Sequence, residues 1–84
     1  MTHYQFDILP FEQQLQAVLN TATLLARRFE KEIATCLYLY YLPGGFFTEL
    51  YYDTKAKEIA LLQAFVGSER LVNYVSGIQL PKYL

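Results

Sequence analysis

A histidine, a thiol, a carboxylate set among aromatics and a pair of guanidinium groups are what this sequence offers for chemistry. His3 is the only histidine. A metal or catalytic role would need partners at defined spacing, and none accompany it, so it reads as a surface residue near the terminus. Cys36 is the only cysteine. It sits in a strand-like run with no histidine nearby, the setting of a buried structural thiol more than of a nucleophile. Glu49 lies between Phe47 and Tyr51 on one side of a strand-like run. Aromatic surroundings raise a carboxylate's pKa and suit it to acid or base work. Without a second catalytic group, it reads instead as a rim residue paired across an interface. Arg27, Arg28 and Arg70 have the charge to hold an anion, but solvated helix ends account for them. Pro43-Gly44-Gly45 matches no phosphate loop, since no GxGxxG or terminal Lys-Ser/Thr follows. No catalytic, metal or cofactor constellation emerges, and a non-enzymatic protein is expected.

The elements that would position these residues follow from periodicity. Leu37 to Asp53 holds seven of the fourteen aromatic residues, folded about Pro43-Gly44-Gly45. It reads as a β-hairpin with a type II turn. Residues 1–9 alternate Tyr4, Phe6 and Ile8 with polar neighbours and read as an extended N-terminal arm. From 10 to 28 the apolar spacing shifts to three and four through Phe11, Leu15, Val18, Ala22, Leu25 and Phe29, which predicts a helix starting at Pro10. Residues 33–66 read as a three-stranded meander, with 58–66 as its third strand because an isolated hairpin is marginal. Helix formers in 55–66 allow a helical alternative there. Ser68 as cap and Gly77 as terminator predict a helix over 68–77, and Pro81 stops it before the tail at 78–84. The fold expected is α+β, in the order α-β-β-β-α: a single small domain over 1–84, helices packed on one face of an antiparallel sheet.

The faces of that sheet carry the functional expectation. A two-residue turn would pair Tyr41 with Phe46, placing Tyr38, Tyr40, Phe47, Glu49 and Tyr51 together on one side. Neither side is polar, whereas an antiparallel sheet with one wet face should alternate. Three eight-residue strands offer roughly 400 Å² per face, and helices about 10 Å wide cover only one. The tyrosine-bearing face is then expected to bury itself against a partner, most simply in a homodimer. The alternative is a small-molecule pocket walled by tyrosines and Glu49.

Composition narrows the partners. Across 84 residues the hydrophobic share is 54% and charged residues reach only 18%, an apolar excess that a small domain struggles to bury. A net charge of −1 argues against nucleic acid or an anionic membrane surface. Aromatic strands superficially resemble base-stacking sheets, but those sit beside basic residues, and here Glu49 and Asp53 occupy the neighbourhood. A lone cysteine, no basic-then-apolar leader and no long apolar run set the expectation of a cytoplasmic protein.

Overall fold

The structure is a computed structural model that describes residues 1–67 together with Leu71. The expected 68–77 helix and 78–84 tail otherwise lie outside the described residues. Two helices, α1 (His3–Asp7) and α2 (Phe11–Thr21), precede four strands. These are β1 (Thr23–Glu30), β2 (Thr35–Leu42), β3 (Phe46–Asp53) and β4 (Glu58–Phe65). The strands form one antiparallel sheet in the order β1-β2-β3-β4. The class is α+β, as expected, but the meander has four strands, not three.

The N-terminal arm is a helix because Thr2 and Gln5 form a capping box. The Gln5 N–H donates to Thr2 Oγ1 at 3.0 Å, and the Thr2 N–H donates to Gln5 Oε1 at 2.9 Å. This burial of Phe6 in a helical turn overrides the alternating pattern. The Gln14 side chain then donates to the Phe6 carbonyl at 2.9 Å, fastening α1 to α2.

The helix expected over 10–28 stops at Thr21, and its second half is β1. Ala22 is already extended at φ −83°, ψ 154°. Asn20, Thr21 and Thr23 are weak helix formers, and pairing with β2 outweighs the helical preference of Leu, Ala and Arg beyond them. Leu25 is the extra residue of a bulge, between the pairs Leu24↔Tyr40 and Ala26↔Leu39.

The β2–β3 connection has three residues, so Leu42 pairs with Phe46 and Tyr41 with Phe47. Gly45, at φ 85°, takes the left-handed position and donates its N–H to the Leu42 carbonyl at 2.9 Å. A three-residue hairpin of this kind is a type I turn closed by a left-handed residue, not the expected type II turn. The register moves by one residue, and every side chain of β2 changes partner.

The next turn pairs Asp53 with Glu58, and Ala60 then bulges out, so Tyr51 meets Leu61. Asp53 Oδ1 accepts from the N–H groups of Lys55 at 2.9 Å and Ala56 at 3.0 Å. The Ala56 and Lys55 N–H groups hold the Asp53 carboxyl below its ordinary pKa.

Both helices pack on one side of the sheet. Phe6 and Val18 meet Leu42, Phe46, Leu50 and Leu62 there, with Tyr38, Tyr40 and Tyr52 at the margin. Thr48 lies in this layer, fully buried, with no hydrogen-bond partner for its Oγ1 among the described residues. A buried unpaired hydroxyl is costly, and valine has the same shape without it. Thr48→Val is therefore expected to raise stability by about 1 kcal/mol in urea denaturation. An unchanged or lowered midpoint would contradict the packing described here.

Candidate functional site

The one-residue register change separates the five residues expected to share a face. Tyr38 pairs with Leu50 and Tyr40 with Thr48, so both point toward the helices and are half-buried. Burial pushes the Tyr40 hydroxyl pKa up, and the neighbouring Tyr38 adds to the effect. Phe47, Glu49 and Tyr51 pair with Tyr41, Leu39 and Leu37 on the opposite side. The expected tyrosine-bearing face therefore does not exist as one surface.

Nor is that opposite side left bare. Leu39, Phe47 and Phe65 are buried there in a cluster with Leu71, and Ala26 packs at its edge. The Phe47 ring lies 5.4 Å from Phe65 in a stacked pair and 5.2 Å from Tyr41 in a tilted one. Leu37 and Glu49 are only 1% and 2% exposed. The side expected to lie bare is thus largely buried. The chain's own Leu71 helps to cover it, on the side away from α1 and α2.

The remaining singled-out residues have structural settings. His3 sits in α1 with its ring stacked on Phe46 at 5.6 Å and Nε2 3.2 Å from Asp7 Oδ2. Cys36 is half-buried, paired with Phe29 on one side and Tyr52 on the other. Among the described residues, no three His, Cys, Asp or Glu side chains converge as metal ligands. No helix among them is long and apolar enough to cross a membrane.

A groove of about 540 Å³ runs between α2 and the β2–β3 turn, lined by Gln13, Gln16, Asn20, Thr21, Pro43 and Gly44 among others. It has the size of a ligand pocket. Among the described residues its lining contains neither a tyrosine nor Glu49.

The feature that sequence reasoning missed is the margin formed by β1. Eight residues make it about 27 Å long. Among the described residues, no strand pairs with its outer edge. The two helices stop short of it: Leu24 is 51% exposed, Leu25 38% and Phe29 55%. Leu24, Arg27 and Phe29 pair with Tyr40, Tyr38 and Cys36, so they share the helix side of the sheet. Arg28 faces the other way and forms an ion pair with Glu30. A depression of about 340 Å³ lies at this margin, lined by Arg27, Arg28, Phe29 and Cys36. The other margin, β4, is blunted by the Ala60 bulge and has α1 against it. The signal for β1 was available in Asn20, Thr21 and Thr23, which interrupt an otherwise helical composition.

Comparison of the chain with protein-family models, with curated proteins and with solved structures finds no match.

Proposed function

We propose that this chain is a small non-enzymatic interaction module that takes a partner's strand onto the outer edge of β1. The observation behind this reading is an eight-residue marginal strand whose apolar side chains, Leu24, Leu25 and Phe29, stand in solvent. An edge strand presents unpaired N–H and C=O groups, and proteins usually blunt such an edge or use it. Strand addition draws affinity from main-chain hydrogen bonds and specificity from alternate side chains. Leu24 and Phe29 would supply apolar contacts, and the depression beside Phe29 would receive a side chain of the added strand. The contact surface is thus a margin of the sheet and not an aromatic face.

Selection of displayed random nonapeptides against the protein tests this reading. Recovered peptides are expected to lose about tenfold in affinity when Phe29 is changed to aspartate, the scale of one lost anchor. Peptides that are indifferent to Phe29→Asp, or that respond to Gln16→Ala in the α2 groove, would sink the proposal.

A further inference from the structure

The charge at the centre of β1 specifies what kind of strand it takes, an inference that rests on strand addition at this edge. Arg27 is exposed midway along β1, on the same side as Leu24 and Phe29. Among the described residues, no carboxylate lies within ion-pair distance of it, whereas Arg28 is engaged by Glu30. Directly opposed side chains in a sheet attract or repel according to charge. We infer that the natural occupant of the β1 edge is an extended segment with an acidic side chain opposite Arg27 and apolar side chains two residues to either side.

A second copy of this chain fits the same edge poorly. Twofold antiparallel pairing of β1 with itself must match residues that share a side of the sheet. With Leu25 bulged, the register that does so along the whole strand pairs Leu24 with Phe29, Thr23 with Glu30 and Ala26 with Arg28. It also sets Arg27 against Arg27 of the second copy, directly across the axis. Like charges so placed are destabilising, and a charged residue on an edge is a common guard against self-pairing. What guards against a second copy selects for an acid.

The probe is an acetylated, amidated nonapeptide with valine at odd positions, threonine at even positions and glutamate replacing the central valine. A second peptide has lysine at the centre. Fluorescence anisotropy is expected to give the glutamate peptide about tenfold tighter binding than the lysine peptide, the scale of exchanging an attractive for a repulsive pair. Arg27→Glu should reverse that preference, and Arg27→Gln should erase it, with far-UV circular dichroism unchanged in both. Equal binding of both peptides, lost together in Phe29→Asp, would overturn the charge assignment while leaving strand addition standing. Failure of both peptides to bind would overturn the two together. Sedimentation showing a wild-type dimer that Phe29→Asp dissociates would also overturn it, by making a second copy the occupant.

Discussion

Phe46→Ala is expected to cost about 3–5 kcal/mol, the range for removing a fully buried aromatic side chain. Phe46 follows the β2–β3 turn directly and has no solvent exposure. Its ring lies 5.4 Å from Phe6 and 5.6 Å from His3, so it joins the sheet to α1 as well as to its own layer. At about 0.05–0.15 kcal/mol per residue, 84 residues correspond to roughly 4–13 kcal/mol in all. The single substitution therefore removes a large part of the total. Urea denaturation of Phe46→Ala beside Tyr4→Ala measures it. Tyr4 is 79% exposed on α1, and its loss should stay within about 0.5 kcal/mol. Similar midpoints for the two variants would contradict the helix layer described here.

Phe47→Ala is expected to be nearly as damaging, and it separates the two accounts of the sheet. Phe47 is 6% exposed, stacked on Phe65 and packed in the cluster that contains Leu71. As a core residue of the single chain, its loss costs about 3–5 kcal/mol. That cost should not depend on protein concentration. As part of a dimer interface, the same substitution would shift the thermal midpoint by an amount that varies with concentration. Scanning calorimetry over a hundredfold range of concentration distinguishes them. A concentration-dependent loss would restore the interface reading and overturn the burial of this face within one chain.

How much of this was legible in the sequence depended on where local pattern and tertiary pairing agreed. The hairpin around Pro43 was plain, because aromatic strands flank an unmistakable turn. The turn's length was not, since Gly44 and Gly45 can each take the left-handed position and only the structure shows that Gly45 does. That single residue of register decided which tyrosines share a face. Tyr38 and Tyr40 went to the helix side, and Phe47, Glu49 and Tyr51 to the opposite side. The Ala60 bulge is likewise invisible locally, because it answers to strand pairing alone. In α1 the capping box Thr2-His3-Tyr4-Gln5 was present to be read, but the alternation of Tyr4, Phe6 and Ile8 masked it. The largest loss was β1. Leu24, Leu25, Ala26 and Phe29 satisfy a helical spacing, and only the free edge of β2 gives them a reason to be extended. The candidate surface was missed because that strand was.

Amide hydrogen exchange along β1, with and without the glutamate-centred peptide, tests the central claim most directly. In an edge strand alternate N–H groups point away from the sheet and exchange with solvent, while those bonded to the neighbouring strand are protected. A saturating peptide is expected to protect the outward amides between Thr23 and Glu30 and to leave α2 and β4 as they were. Unchanged exchange along β1, or new protection confined to the Gln13–Asn20 side of α2, would contradict the assignment of this edge as the binding surface.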